Sequence, residues 1–477
     1  MRLQSTALCI LALTLALLGD LGTAVRAQPL NYHAFSTLRG SPDGTLPFWH
    51  YANTRGQFRR GSTTNWLSGA GLTLPFQRVG QFQVSAGAEV IGRLSDASNS
   101  LHLHTLYGTV QHRGVRLSVG RFSDTIGLGW DDLSMGSMMV SRNAPPVPMM
   151  KLFTPDFLDV PWTHGHVQVR GRWSDGQLGA ERVVESALLH QKTFYLKFNV
   201  ADVSAIGGLV QNTVWGGTGR PTGWNDYVRV VSGSLEGTKV DQNRTGNTIA
   251  AYDFALQYDF TDWRLQATRL FYLEDTVSMQ FRSPWDGVWS LGIRRQTGRG
   301  WVNSVLYEHM NTIQQDALPG APRGRAGYYG HFVYESGWTY QGTVLGTPLL
   351  VFDPETNQME NNMVIAHHVG LNGTPTKRLG YQFRVTYSRN YGVCEDQIIT
   401  GTCEVLADRP APPDQTVRPR GELRKDQYSV LGRVRYRLPG EHNLQVFGSL
   451  AIDMGEYYDN RVGGSIGLRW NGTLPFN

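Results

Sequence analysis

Residues 427–438 read QYSVLGRVRYRL, a stretch in which apolar and polar side chains alternate. Because successive side chains of a β-strand point to opposite faces, one face carries tyrosines and valines, and the other carries Arg433, Arg435 and Arg437. A water-soluble sandwich would bury the apolar face. A transmembrane barrel would turn that face to lipid and the arginines to its lumen. The rest of the chain favours the barrel.

The same alternation recurs along the chain in segments near the roughly 9–11 residues that a tilted strand needs to cross a bilayer. The clearest examples are 81–94, 250–260, 379–391, 442–453 and 462–470. Glycine is abundant and aromatic residues make up 11% of the chain, which suits tight turns and interfacial girdles. The sequence therefore predicts an all-β protein built from membrane-spanning strands.

Short turns and long loops alternate through most of the chain, which is the layout of an outer-membrane barrel with periplasmic turns and extracellular loops. The short turns lie at 112–114, 174–176, 260–262, 297–300 and 439–442, and the long segments at 123–160, 217–247, 311–362 and 392–426. Counting back from a periplasmic C-terminus gives seventeen strands, one of them at 177–188. Residues 54–63 supply the first strand that an even number requires. We predict an antiparallel barrel of 16–18 strands, with 18 as the best value, over residues 54–477.

The N-terminus predicts a secretory signal peptide at residues 1–27, since Arg2 precedes a short apolar run at 7–18 and small residues follow. No other segment has the roughly 20 continuous apolar residues of a membrane helix. Residues 28–53 are predicted as a short periplasmic segment that tucks into the barrel mouth. The segment 123–160 is too apolar to extend freely into water. Two interpretations of it stay open: a constriction or cap in the lumen, and a folded external loop.

The net charge of +5 comes mostly from arginine, which binds carboxylates and phosphates through paired hydrogen bonds. The predicted basic stripe of the lumen consists of Arg433, Arg435, Arg437, Arg170 and Arg172. An acidic polysaccharide or lipopolysaccharide would fit such a stripe. The alternative, which is the commoner use of enclosed charge, is that these arginines pair with neighbouring carboxylates and hold the interior rigid.

Cysteine usage and motif searches limit the chemistry that the chain can perform. Cys394 and Cys403 remain after signal removal, and in an oxidising compartment they predict a disulfide that closes a small loop. Two cysteines, or His164 with His166, do not complete a metal site. Neither GxSxG nor HExxH occurs. We therefore predict no catalytic residue, no metal and no cofactor.

The long loops carry residue types that bind sugars, namely aromatic rings that stack on sugar rings and arginines that hold carboxylates. Loop 321–340 combines several of them with glycines, and the loop with the cysteine pair is basic and proline-rich. Packing within the loops is the alternative use of the same side chains. The candidates for polysaccharide contact are Arg323, Arg325, Tyr328, Tyr329, Trp338, Trp224, Arg418 and Arg420.

Several stretches resemble the capsule-assembly proteins of the Wzi family. They are LPFWHYANTRG at 46–56, the central segment 120–152, LLHQKTFYLKF at 188–198, GLVQNTVWGG at 208–217 and GNTIAAYDFALQY at 246–258. The central segment is fairly specific, whereas each of the others alone is weak. The recognisable family positions are Ser134, Gly136, Ser141, Asn143, Pro146, His190, Lys192 and Trp215.

The resemblance implies a monomeric, lectin-like barrel in the outer membrane of a Gram-negative bacterium. It implies that the protein retains or helps assemble capsular polysaccharide without catalysis, in contact with outer-membrane lipid and lipopolysaccharide and with no nucleic acid. Enterobacterial members carry a helical bundle under the barrel, for which residues 28–53 are too short. The alternatives are a porin-type diffusion or sugar-selective channel and an outer-membrane hydrolase.

Overall fold

Eighteen antiparallel strands form one closed sheet in the part of the chain that the computed structural model describes, which is residues 29–96, 98–233, 246–274, 281, 283–315, 327–393, 399–400, 418–419, 424–440 and 443–474. The predicted signal peptide and Cys394 and Cys403 lie outside these residues. The strands are β1 Leu30–Gly40, β2 Thr64–Val79, β3 Phe82–Ser95, β4 Ser100–His112, β5 Val115–Arg121, β6 Pro148–Phe153, β7 Val167–Gln177, β8 Leu188–Val200, β9 Val203–Trp215, β10 Gly246–Phe260, β11 Trp263–Leu273, β12 Gly287–Arg295, β13 Ser304–Asn311, β14 Val364–Gly373, β15 Leu379–Asn390, β16 Lys425–Arg437, β17 Leu444–Gly455 and β18 Arg461–Leu474.

The sheet closes between the first and the last strand. β1 pairs with β2 on one side and with β18 on the other, in a register that runs from Leu30 opposite Leu474 to Gly40 opposite Gly464. The connection after β6 contributes a further two-residue strand, Leu158–Asp159, which also pairs with β7. A closed barrel leaves no open strand edge, so every wall strand has hydrogen-bonded neighbours on both sides.

The predicted strand number is confirmed, but two individual strands were placed wrongly. The barrel begins at β1 inside the segment 28–53, so the boundary at residue 54 was wrong and 54–63 is part of a connection. β1 escaped detection because Phe35 points inward and Ser36 points outward, which interrupts the alternation in the middle of the strand. The predicted strand 177–188 is also wrong, because β7 ends where that segment begins. The short β6 takes its place in the count.

The outer wall presents large apolar side chains to the surroundings, among them Leu256, Val434 and Ile466, which is 62% exposed. On β16 the alternation holds as predicted, with Tyr428 and Val434 exposed and Gln427 buried. Such a continuous apolar outer surface is unfavourable in water and fits a bilayer. None of the described helices is long and apolar enough to cross a membrane.

The two rims of the barrel differ in the length of their connections. The turn rim has mostly tight connections, such as Arg113–Gly114 between β4 and β5, where both residues adopt positive φ angles of 46° and 83°. Positive φ at both positions gives the twist that two-residue hairpins require. The loop rim carries the long connections 41–63, 122–147, 178–187, 216–245, 274–286, 312–363 and 391–424. Both chain ends of the barrel lie at the turn rim, as predicted for a barrel with its termini in the periplasm.

Two short helices belong to these connections. Helix α1 spans Phe48–Tyr51 in the connection between β1 and β2, and its aromatic side chains are buried inside the barrel. Helix α2 spans Trp224–Ser232 in the connection between β9 and β10. Paired segments Thr339–Tyr340 with Thr343–Val344, and Val351–Asp353 with Gln358–Asn361, form two small hairpins within the 312–363 connection.

Candidate functional site

Residues 122–147, which we call the plug, fold from the loop rim into the lumen. Met135, Met138 and Met139 of the plug are fully buried, and they belong to the main apolar cluster of the protein. The apolar composition of this segment is therefore explained by burial inside the barrel. Of the two interpretations left open, the structure supports the lumen cap for residues 123–147, whereas residues 148–153 form wall strand β6.

Buried polar side chains on two wall strands, β10 and β13, hold the plug. Glu308 of β13 accepts hydrogen bonds from Ser134 Oγ at 2.9 Å and from the Met135 backbone N–H at 2.7 Å. Three strands away along the wall, Asp253 of β10 accepts from the backbone N–H of Leu128 at 3.0 Å. Each buried carboxylate accepts hydrogen bonds from backbone or hydroxyl donors of the plug. These bonds fix the depth of the plug in the barrel.

The family positions of the central segment connect the plug to two other connections. Asn143 accepts from the backbone N–H of Asn53 at 3.1 Å and donates to the carbonyl of Val344 at 3.1 Å. Ser141 Oγ donates to the Gly346 carbonyl at 2.5 Å. Gly136 has a φ of +105°, which L side chains rarely adopt, and Pro146 is buried. These residues act as packing anchors for the plug.

An ion cluster on the wall strands β6 and β7 includes Arg172 of the predicted basic stripe. Asp124 of the plug accepts from Lys151 Nζ at 3.0 Å and from Arg172, and the three side chains are 9–13% exposed. Arg170 stacks over Phe157, with its guanidinium 4.7 Å from the ring centre. Arg172 therefore pairs with a carboxylate, as in the second interpretation, whereas Arg170 contacts aromatic rings and forms no salt bridge among the described residues.

The other three arginines of the stripe lie on β16, near the end of the strand at the turn rim. Arg433 and Arg435 line a cavity of about 340 Å³ beneath the plug. Arg435 and Arg437 line an adjoining cavity of about 320 Å³. No salt bridge joins these three arginines to a carboxylate among the described residues. The stripe thus divides into Arg172, which pairs with a carboxylate, Arg170, which contacts aromatic rings, and the three arginines of β16, which we call the lower arginines.

Helix α2 lies on the outer wall of the barrel rather than over its mouth. On β8, Tyr195 points into the lumen and bonds Asp253 at 3.0 Å, whereas Phe194 points outward and is exposed. His190 and Lys192 share the outward parity of Phe194. They are nevertheless largely shielded, and Lys192 Nζ donates to the carbonyl of Val231 at the end of the helix. The helix therefore covers polar wall residues that would otherwise face the membrane.

Asp175 of β7 is the centre of this outer-wall contact. Its carboxylate accepts from His190 Nδ1 at 2.8 Å, Trp173 Nε1 at 3.0 Å and Tyr227 Oη at 2.9 Å. The Trp215 and Tyr227 rings lie 5.7 Å apart. The family positions His190, Lys192 and Trp215 thus share one structural role, which is to seat helix α2 against the wall.

The described members of the loop residues predicted to contact polysaccharide do not form one surface. Tyr328, Tyr329 and Trp338 are buried, and the Trp338 indole donates to the Met139 carbonyl at 2.7 Å. The prediction that these rings are open to stack on sugars was wrong, because Tyr329 and Trp338 bond the plug and Tyr328 bonds Asp286. Trp224 is 74% exposed but belongs to helix α2 on the outer wall. Arg323, Arg325 and Arg420 lie outside the described residues, and Arg418 begins a two-residue strand paired with Ile399–Thr400.

Sequence reasoning missed the acidic anchors Glu308 and Asp175, together with His368, whose Nε2 donates to the Leu133 carbonyl at 2.7 Å. The sequence signal for Glu308 and His368 is that alternation places both side chains on the lumen face of predicted strands. Nothing in the sequence shows which segment enters the lumen to meet them.

A family model described as "Capsule assembly protein Wzi" matches residues 57–356. The chain belongs to the Wzi capsule-assembly family. Within this family member, the matched region spans the plug, the wall that anchors it and helix α2. No curated protein sequence matches the chain significantly.

One solved structure supports the barrel fold. Wzi from Escherichia coli, described as an outer membrane protein involved in group 1 capsule assembly and as a carbohydrate-binding β-barrel, is 16% identical, with a TM-score of 0.59. The match covers 97% of this chain and 88% of that one. Two Pseudomonas aeruginosa structures, OccK5 (TM-score 0.47, covering 94% of this chain and 98% of that one) and OprD (0.46, 95% and 98%), are each 10% identical.

Proposed function

We propose that this chain is a non-catalytic, lectin-like protein of the Gram-negative outer membrane that retains or helps assemble capsular or other surface polysaccharide. Family membership supports this proposal, as does the description of the E. coli relative as a carbohydrate-binding barrel. The observation that carries it is the anchored plug. A lumen filled by buried side chains suits a rigid binding body better than a diffusion channel.

The charge and the closure of the barrel support two further parts of the proposal. The net charge of +5 and the unpaired lower arginines favour an acidic polysaccharide as the partner. The sheet closes on itself without a second chain, which supports a monomer.

Binding to polysaccharide isolated from the producing strain tests this function. The purified chain in lipid nanodiscs should bind that polymer saturably. Empty nanodiscs should not bind the polymer, and the chain should not bind an unrelated neutral glucan. Equal retention of the polymer on empty nanodiscs would contradict the proposal.

We also propose that helix α2 contacts the lipid or lipopolysaccharide of the outer leaflet. Its covered side seats on the wall through Tyr227 and Val230, and its open side presents Trp224, Val228 and Arg229. Tryptophan with apolar and cationic neighbours on an exposed helix face is typical of elements at a membrane interface. This position favours lipid over sugar as the partner of Trp224.

A spin label at Val228→Cys, in a background with Cys394 and Cys403 replaced by serine, tests the placement of helix α2. In nanodiscs the label should be more accessible to oxygen than to a water-soluble nickel complex, because Val228 is 45% exposed on the outer wall. Glu355→Cys, on the exposed hairpin of the 312–363 connection, is the control and should show the opposite preference. If the label at 228 prefers nickel, or is protected only after polysaccharide is added, the helix does not contact lipid.

A further inference from the structure

Two adjoining cavities occupy the half of the lumen between the plug and the turn rim. The upper cavity, about 340 Å³, is bounded above by Asp132 and Arg142 of the plug and on the wall by Arg384 and Arg433. The lower cavity, about 320 Å³, is reached through the shared residue Arg435 and opens toward the turns at 296–303 and 374–378. We call the two together the vestibule.

The vestibule has a strong excess of positive charge. The described lining of the lower cavity includes no carboxylate, and its cationic residues are Arg299, Lys377, Arg378, Arg435 and Arg437. In the upper cavity the one described carboxylate is Asp132. Both of its oxygens are engaged, Oδ1 by Arg294 and Oδ2 by the Asn372 amide at 3.2 Å. The described part of the chain therefore supplies no free anion to these cations.

This arrangement differs from the wall at β6 and β7, where Asp124 pairs with both Lys151 and Arg172. Like charges that line one cavity repel one another, and salt screens this repulsion because the cations of the lower cavity are exposed. An anion bound between them removes that repulsion. Guanidinium groups hold carboxylate and phosphate oxygens through paired, charge-assisted hydrogen bonds, so these are the anionic groups that the vestibule fits best.

The uncharged lining of the upper cavity indicates what carries the anion. Asn303, Asn372 and Gln382 contribute amide side chains to this lining. An amide group can both donate to and accept from a sugar hydroxyl. A simple inorganic anion offers no array of hydroxyls, whereas a saccharide does.

We propose that the vestibule binds an anionic saccharide segment, with its carboxylate or phosphate groups on Arg435 and Arg437 and its hydroxyls on the amides above. The proposal rests on the proposed function and adds to it a contact reached from the turn rim, on the periplasmic side, rather than from the external loops. The plug separates this contact from the outside.

Paired charge-removal variants in the full chain test the vestibule. The probe is a galacturonate tetrasaccharide, with maltotetraose as the neutral saccharide of equal length and a short polyglutamate peptide as the anion without sugar. Arg435→Gln/Arg437→Gln should weaken binding of the galacturonate at least tenfold at low salt and flatten its salt dependence. Arg78→Gln/Arg113→Gln removes the same charge at the turn rim without touching either cavity, and it should change binding less than twofold.

The melting temperature of each variant is measured alongside, and we expect no loss for Arg435→Gln/Arg437→Gln because repulsion is reduced. Equal weakening by the two pairs, equal binding of maltotetraose, or binding of polyglutamate without galacturonate would each overturn the proposal. Isolated surface polysaccharide is bound in parallel. If that polymer binds while the vestibule variant behaves as its control, the vestibule proposal fails and the proposed function stands; if that polymer does not bind at all, the proposed function fails first.

Discussion

Replacing residues 126–143 by a short glycine-serine linker should turn a non-conducting barrel into an open channel. The removed residues carry the Met135, Met138 and Met139 side chains that fill the lumen. Their loss also releases the 312–363 connection, since Tyr329 and Trp338 donate to carbonyls of the removed segment. An eighteen-stranded wall without this filling encloses a water-accessible lumen. Planar-bilayer recordings should show step-like openings for the variant and a flat baseline for the parent chain.

Glu308→Gln is an informative companion to this deletion. It keeps the size of the side chain but weakens the bonds to Ser134 Oγ and the Met135 N–H, so brief openings rather than a stable pore are expected. The account of the plug would be contradicted if the parent chain conducted as readily as the deletion variant, and the porin alternative would then regain support.

Asp124→Ala should destabilise the barrel strongly. The substitution leaves Lys151 and Arg172 enclosed without a counterion, and breaking a buried ion pair in this way costs about 3–5 kcal/mol. Asp259→Ala is the matched control, because it breaks the Asp259–Arg264 pair whose side chains are more than one-third exposed, and such pairs contribute less than about 1 kcal/mol. Urea unfolding midpoints in detergent measure both. Equal losses in the two variants would show that the Asp124 cluster does not stabilise the fold.

The same cluster predicts a pH dependence. Burial alone would raise the pKa of Asp124, but Arg172 and Lys151 outweigh it and hold that pKa below its ordinary value of 3.8. A carboxyl whose pKa is depressed by folding stabilises the protein above its unfolded-state pKa and loses that contribution as pH falls through the folded value. The parent chain and Asp124→Ala should therefore converge in stability below about pH 3.8. A difference that is unchanged at pH 2 would contradict this assignment.

The parts of the fold that sequence predicted well are the strands whose two faces differ. β16 shows this, since its outward tyrosines and valines alternate with inward polar residues. β1 was missed because Phe35 points inward and Ser36 outward, and β6 because it is short and follows the apolar plug directly. Alternating hydropathy identifies a barrel strand when its outward residues are apolar and its inward residues are polar. The pattern is lost where the residues that face the lumen are also apolar.

The candidate site was harder to predict than the fold. Tyr328 and Trp338 have the composition of a sugar-binding loop, but their long-range contacts with the lumen decide that they are buried. Trp224 was placed in an external loop correctly, yet the sequence did not show that its helix turns back onto the outer wall. The lower arginines were predicted from parity alone. Whether each of these arginines has a carboxylate partner depends on how far the plug enters the barrel. No local sequence pattern predicts that depth.

The partition of polysaccharide between cells and medium, in a strain that lacks this protein, tests the retention function. We expect that polymer is still made but is shed, and that the parent gene restores the cell-bound fraction. Surface polysaccharide that is unchanged in amount and attachment after deletion would contradict the retention function.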